Sequence, residues 1–396
     1  MPRLWPDSMR TPGPVRADLH VHLGRAPDGR PVKIPASPAL TLENVLGYAR
    51  EKKGLDAVGI VDMQVPSVHR RVKELLEAGE LARLPGGGYQ VPGGPWLLPG
   101  CELEVAGPGG PVHLLTYFPD LDALADFAAW LGEHVDHLEL SSQRCRAPAP
   151  TVAMQARERG GMVIPAHVFT PHRSLYGGGH SLSQLFGEEA QHIAAVELGL
   201  SADTALASQL SELGQLRFIS ASDAHSLERI GRELTVFAPE QPGCAGLFGA
   251  LQVGGIVSNY GLDPRLGKYH RSYCLDCRRR LPGDPPVLVC AHPGHRVVKG
   301  VLDRICQLAD VPASLAGRPP YLYQVPLADL PGVGPGTRAR LRELGDDFHI
   351  LHVAEPGELA RAVGVRLSRL VLAAREGRLE VEPGGGGYYG RVRERE

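Results

Sequence analysis

The stretch RADLHVH, residues 16–22, decides how the rest of the chain is read. Its apolar and polar residues alternate as in a strand, so His20 and His22 project from one face, about 7 Å apart along the backbone. Two imidazoles so spaced can hold one divalent cation. Further strand-like runs follow: DAVGIVD (56–62), HLLTYF (113–118), GMVIPAH (161–167), AAVELG (194–199) and RFISASDAH (217–225). Helical stretches lie between them, such as 41–53 behind a capping Thr41 and 203–213 after Ser201. Strand and helix alternating at this length predict an α/β fold with a parallel sheet, open or closed into a barrel. The strands carry Asp62, His113, His167, Glu197 and Asp223/His225 at their ends, the rim where α/β proteins build sites.

Composition narrows the class. At 396 residues the chain is long enough for two or three domains, and 43% apolar content is that of a globular protein. No apolar run is long enough for a membrane span, and the proline-broken start MPRLWPDSMRTPGP has no signal-peptide core, so a cytoplasmic protein without membrane partner is expected, with residues 1–15 flexible. The seven cysteines include a single CxxC pair, which favours reduced thiols and a metal site over a disulfide framework. A formal charge of −2 leaves nucleic-acid binding to local patches.

His20, His22, Asp62, Glu102, His113, His167, Asp223 and His225 form the main constellation. Imidazoles and carboxylates together suit Zn²⁺, Mn²⁺ or Fe²⁺, and paired ions activate water for phosphoryl displacement. SDAH repeats the i, i+2 spacing of His20 and His22, so Asp223 and His225 make a second chelating pair, and Asp223 is the first choice for a ligand whose loss abolishes turnover. Glu197 reads as an acid that orients a histidine or contacts substrate, or as a plain capping acid.

A second region, 263–300, holds Cys274, Cys277 and Cys290 with His292 or, preferred, His295, a donor set for one structural zinc. Lys268, Arg271, Arg278, Arg279 and Arg280 make it the most basic stretch of the chain and a candidate phosphate contact. The third region, 301–396, is helical in pattern and ends in a glycine-rich tail; in it PGVGPG (331–336), with Gly332 and Gly334, reads either as a hairpin offering N–H groups to DNA phosphate or as a helix connector. The loop after His167 carries Phe169, Tyr176 and Phe186 among flexible glycines; read as a rim loop they anchor it, and read with the DNA-acting family resemblance given below they stack on an extruded base.

DLHVH, PGCELE around Glu102, PAH at His167 and SDAH together resemble the PHP superfamily of metal-dependent phosphoesterases. GRAPDGRPVKIPA, GLSAD, GKYHRSYC and PGGGGYYG are similar, more narrowly, to the endonuclease Q family, and the likeness runs from about Arg16 to Arg391. It implies a distorted (β/α)7 barrel over residues 16–262, a zinc-binding insert and a helical DNA-binding region with a helix-hairpin-helix-like element. It also implies incision of damaged DNA 5′ to uracil, hypoxanthine, xanthine or an abasic site, by a monomer with no organic cofactor. By motif match His20, His22, Glu102, His113, His167, Asp223 and His225 carry over as ligands. Met63 and Gln64 follow Asp62 where many PHP proteins have a histidine, no histidine stands near Asp28, and Pro293 occupies the place of a fourth cysteine. Two barrel ions are therefore expected, with Asp62 a candidate ligand. The rival readings are a PHP phosphatase acting on a small phosphoester and a DNA-binding protein with an inactive barrel.

Overall fold

The structure is a computed structural model and describes residues 13–393, so the expectation of a flexible start falls almost wholly outside the described residues. Seven strands close a distorted barrel. β1 (Val15–Val21) pairs in parallel with β2 (Ala57–Ile60). The two-residue strands β3 (Ala82–Arg83) and β4 (Tyr89–Gln90) form a small flap paired to β5 (Trp96–Gly107), which lies parallel to β2. β6 (Gly110–Tyr117) runs antiparallel to both β5 and β7 (Met162–Pro165). The amide of Val168 then donates to the carbonyl of Glu197 at the end of β8 (Ala195–Glu197), and β8 pairs in parallel with β9 (Arg217–Ile219). A bridge between Ala224 and Val21 closes the ring. One buried apolar cluster draws Leu19, Ala57, Leu98, Leu115, Ile164, Ala195 and Ile219 from these seven strands, as a closed barrel requires.

β6 is the one strand of the ring that runs against its neighbours, a reversal within the expected barrel. Its turn with β5 is a tight hairpin, too short for the helix a parallel crossover needs. His113 accordingly sits near the start of its strand, not at an end, yet on the same rim. Outside the ring, β10 (Leu234–Phe237) and β11 (Ile256–Gly261) extend the sheet antiparallel from β1; their short runs were not read as strands from sequence.

Helices cover the barrel where the pattern places their apolar faces inward. Asp120 caps the helix Leu121–Gly132 through the amides of Asp122 and Ala123, and Leu121, Leu124, Phe127 and Leu131 are buried. Thr41 caps Leu42–Tyr48, which continues as a π-helical turn to Lys53, close to the expected 41–53. The expected helix 203–213 is a single turn, Thr204–Ala207, capped by Asp203, followed by a 3₁₀ turn, Ser211–Leu213.

Three short strands, β12 (Tyr273–Cys274), β13 (Arg279–Arg280) and β14 (Val297–Val298), make the cysteine-bearing module. Helix Val301–Leu308 pins it: the buried carboxylate of Asp303 accepts from the amides of Ser272 and Val287, each at 2.8 Å. β15 (Tyr321–Tyr323) then adds to β11, so the chain returns to the main sheet before four helices between residues 335 and 375 pack around their own apolar cluster. A buried ion pair, Lys53 Nζ to Asp347 at 2.8 Å, ties those helices to the barrel. The glycine-rich tail between β16 (Glu380–Glu382) and β17 (Arg391–Arg393) folds back over the module: Gly384 accepts from the Arg271 amide, the Gly387 amide donates to Lys268, and Tyr388 rests against Tyr273. Among the described residues no helix is long and apolar enough to cross a membrane.

Candidate metal centre and active-site pocket

β1 delivers His20 and His22 to the rim with their Nε2 atoms only 3.2 Å apart. Each ring is held from behind by a carboxylate. Glu197 meets Nδ1 of His20 at 3.0 Å, and Asp62 meets Nδ1 of His22 at 3.1 Å while also accepting from the Leu23 amide at 2.7 Å. In this network Nδ1–H of each imidazole donates to its carboxylate, which leaves the lone pair on Nε2 and aims both lone pairs at one point. Asp223 Oδ1 lies 3.6 Å from both Nε2 atoms. Two lone pairs facing a carboxylate repel unless a cation sits between them, and this donor set fits a divalent ion.

A second group adjoins the first. Glu102, His113 and His167 converge within the reach of a single ion, as do His20, His22 and Asp223. Glu102 faces both: Oε1 lies 2.8 Å from His113 and 3.4 Å from His20, and Oε2 lies 3.4 Å from His22. Neither ring nitrogen of the buried His113 has an aligned hydrogen-bond partner, the condition of an imidazole shaped for a metal. Burial alone would raise the Glu102 carboxyl, but His113, Lys33 and His22 together hold it well below its ordinary range. Likewise burial would lower His20, and the Glu197 and Asp223 carboxylates outweigh it, giving the ring a strong demand for positive charge.

Backbone geometry at the ligands is unusual. His167 and Asp223 both adopt positive φ, 30° and 45°, which non-glycine residues hold only where the surroundings impose it. Gly199 explains part of this: a Cβ there would lie 2.8 Å from that of His167, so only glycine lets the His167 corner close. Asp18, on the same face of β1, accepts from the amides of Ser222 at 2.9 Å and Gly231 at 2.8 Å and so binds the SDAH loop to the HxH strand.

Asp62 therefore lies behind His22, outside both groups of ligand atoms, and Glu197 lies behind His20. His225 is beside the first group, its ring 5.2 Å from that of His22 and its Nδ1 3.0 Å from the Asp223 carbonyl, but it belongs to neither. Sequence reasoning missed Lys33. Its nearly buried ammonium contacts Glu102 Oε2 at 2.9 Å and Ser142 Oγ at 2.5 Å, and an isolated lysine in an apolar run gives no periodic signal. It also missed Arg232, whose guanidinium holds the Ser222 carbonyl at 2.8 Å and the hydroxyl of Tyr389 in the tail at 2.8 Å.

The site opens into a pocket of about 740 Å³ lined by Lys33, Glu102, His113, His167, Asp223 and His225 on its floor and by His172, Arg173, Lys268 and Tyr269 toward its mouth. Of the two readings of the aromatic residues after His167, stacking on a base or anchoring the loop, the structure agrees with the second. Phe169, Tyr176 and Phe186 are buried in the core, Phe169 stacked on Tyr176 and the Tyr176 hydroxyl bonded to Glu212 at 2.8 Å. Their loop folds into two short helices, Leu175–Gly178 and Leu182–Phe186, whose single turns draw the rings inward.

Cys274, Cys277, Cys290 and His295 form a third ligand group. His295 Nδ1 stands 3.3–3.7 Å from the three sulfurs and Cys277 Sγ lies 3.8 Å from Cys290 Sγ, close to the edge of roughly 3.7 Å that ~2.3 Å zinc–sulfur bonds give a tetrahedron. His292 also approaches, its Nδ1 3.5 Å from Cys277 Sγ. Arg278 and Arg279 are exposed, whereas Arg280 pairs with Glu382 and Arg271 with Asp303. Gly332 and Gly334 are exposed on either side of buried Val333; a lone 3₁₀ turn, Leu327–Asp329, precedes them and helix Pro335–Leu341 follows.

A seven-stranded α/β barrel that gathers histidines and carboxylates at one rim around two adjoining ligand groups is the architecture that the resemblance to PHP phosphoesterases implies. No protein-family model matches the chain. It is 40% identical to the uncharacterized protein YqxK of Bacillus subtilis, over 96% of this chain and 99% of that one. The crystal structure of the lesion-specific endonuclease PfuEndoQ from Pyrococcus furiosus superposes with a TM-score of 0.82 at 30% identity, covering 97% of this chain and 96% of the other. Endonuclease Q bound to a 27-mer duplex with an abasic lesion at the active site gives a TM-score of 0.83 at 30% identity, covering 97% of each chain. The chain belongs to the endonuclease Q family.

Proposed function

We propose that this protein is a DNA repair endonuclease that hydrolyses the phosphodiester 5′ to deaminated bases (uracil, hypoxanthine, xanthine) or abasic sites. The observation that carries the reading is Glu102 facing two adjoining ligand groups on the floor of a pocket whose mouth is lined by Lys268 and Tyr269 of the basic, cysteine-bearing region. A phosphodiester brought in along that basic face meets the ligand groups directly. Likeness to an endonuclease Q seen with an abasic duplex supports DNA as the partner. Both ligand groups are complete within one chain, so a monomer suffices.

His20, His22 and Asp223 would hold one divalent ion and Glu102, His113 and His167 a second, together supplying Lewis-acid activation of water and neutralisation of the phosphoryl charge. Asp62 and Glu197 fix the tautomer and orientation of the two imidazoles of β1. Lys33 offsets the negative charge of Glu102 and, lining the pocket, donates to a non-bridging phosphate oxygen. His225, which burial holds below its ordinary range, bonds the Asp223 carbonyl through Nδ1 and lines the pocket beside the place the phosphate would take. Cys274, Cys277, Cys290 and His295 would hold one zinc that shapes the basic module, with Arg278 and Arg279 on the DNA backbone.

The test is incubation with labelled duplexes carrying one uracil, one hypoxanthine or no lesion, with Mn²⁺ or Mg²⁺ and with Asp223→Ala as control. A single cut immediately 5′ of the lesion, absent from the control, is expected. No cut with any ion, together with phosphate release from a generic monoester, would transfer the site to small-molecule phosphatases.

A further inference from the structure

An endonuclease that acts beside one damaged base must part that base from its neighbours, and the aromatic residues that sequence offered for the task are buried. Something else must fill the gap. Enzymes and architectural proteins that unstack a duplex commonly insert an apolar side chain between base steps. Such a side chain has to be exposed, rigidly carried and next to the reacting phosphate.

Ile34 meets all three conditions. It is 75% exposed, as bare to solvent as any large aliphatic residue in the described chain apart from Val289. Single exposed apolar residues are ordinary on protein surfaces. What sets Ile34 apart is its place: Lys33 on one side contacts Glu102, and Pro35 on the other lines the same pocket. None of the three side chains is itself part of that pocket's lining, but only Ile34 stands between two lining residues; Val253, equally exposed, lies at the end of helix Cys244–Val253, and neither it nor Val289 has a lining residue beside it.

The backbone beneath Ile34 is fixed. The Ala36 amide donates to the Lys33 carbonyl at 3.0 Å, closing a tight turn with Ile34 and Pro35 at its two central positions. Below it, the amides of Val32 and Lys33 donate to Gly24 and Leu23 just past β1, and the Ser37 amide donates to the His225 carbonyl at 2.9 Å. The turn is thus bolted at one foot to the strand that carries His20 and His22 and at the other to the loop that carries Asp223 and His225. Pro35 stiffens its tip further. An isoleucine on such a mount loses little freedom when it is covered, because its side chain is branched and its backbone is already set.

We propose that Ile34 is the wedge that enters the duplex at the lesion, covering the face of the neighbouring base pair while the damaged nucleotide passes into the pocket between the turn and Lys268/Tyr269. The role rests on the endonuclease reading above, and it assigns to the protein a positioning residue for paired substrates. Where the lesion is already unpaired there is no stack to part, and Ile34 should matter little.

The experiment compares wild type, Ile34→Ser and Ile34→Leu on one uracil placed either in a fully paired duplex or in a bubble of unpaired bases. Base parting is followed separately by fluorescence of a 2-aminopurine beside the uracil. Ile34→Ser should cut the paired duplex about tenfold to a hundredfold more slowly, the range that covering one aliphatic side chain supplies. It should cut the bubble within about twofold of wild type. Ile34→Leu should recover most of the duplex rate, and the 2-aminopurine signal on binding should fall with Ser and return with Leu. Equal losses on both substrates, or no loss on either with an unchanged fluorescence signal, would overturn the wedge. If wild type cuts neither substrate, the endonuclease reading itself has failed, a result this comparison separates from the first two.

Discussion

The barrel rim and the cysteine cluster both gather metal-type ligands, but they stand on different supports. At the rim, His20 and His22 are completely buried, and each is braced by a second carboxylate that the surrounding core also buries. Around Cys274, Cys277, Cys290 and His295 the secondary structure consists of three two-residue strands, and Leu275 and Val289 are left exposed. The rim is therefore shaped by its own packing, whereas the cluster has little apolar burial with which to shape itself and would rely on the zinc proposed for its ligands. On the reading proposed above, preorganisation belongs to the reacting site and conditional folding to the module placed against DNA.

That contrast can be broken or sharpened. Replacing Glu102, which faces both ligand groups, by Gln should lower incision by more than the roughly hundredfold typical of an outer partner. Its thermal unfolding should stay a single cooperative transition, as calorimetry would record; collapse of the fold would mean that the rim too relies on its ligands. Cys277→Ser should do the reverse. We expect rapid proteolytic cutting between residues 275 and 296 and loss of duplex binding, while hydrolysis of a small model phosphodiester persists. Asp62→Asn, which keeps the shape behind His22 but not the charge, should weaken divalent-ion binding about 10–100-fold in a calorimetric titration with the fold intact. An unchanged affinity would show that bracing is idle.

The smallest effect concerns Glu233, next to Arg232 and buried with Oε2 unpartnered. Burial pushes its carboxyl up to about 8 from an ordinary 4.5. Because the folded form holds the proton more tightly, this group's contribution is greatest below the unfolded value and declines as pH rises, by at most about 1.4 kcal/mol per pH unit between those limits. Glu233→Gln should flatten that decline, measured by urea unfolding at about pH 5.5 and about pH 7.5. A wild-type slope retained in the variant would remove Glu233 as its source.

Much of the rim was legible beforehand because its residues sit in strands, where a spacing of two places side chains on one face. His20, His22 and Asp223 were found that way, and Glu102 and His167 by the motifs around them. Direction was not legible. Nothing in HLLTYF says that β6 runs against its neighbours, and only the hairpin with β5 explains how a histidine near the start of a strand reaches a rim made of strand ends. Loops were harder still. Phe169, Tyr176 and Phe186 lie in a segment whose helices are a turn long, too short to impose a periodicity, so burial could not be told from exposure. Lys33 and Ile34 share that difficulty: the roles proposed for them follow from a turn bonded on one side to the residues just past β1 and on the other to the distant His225.

The strap formed by the glycine-rich tail has a consequence for synthesis. Residues 384–388 pack on Lys268, Arg271 and Tyr273, more than a hundred positions earlier, and Tyr389 reaches Arg232 behind the SDAH loop. On a ribosome the barrel strands emerge first and can pair at once. The module's outer face is sealed only after the tail has left the exit tunnel. A nascent chain thus forms its histidine-lined rim well before the module it adjoins is closed, so in the order of synthesis the proposed reacting site precedes the surface proposed to grip DNA.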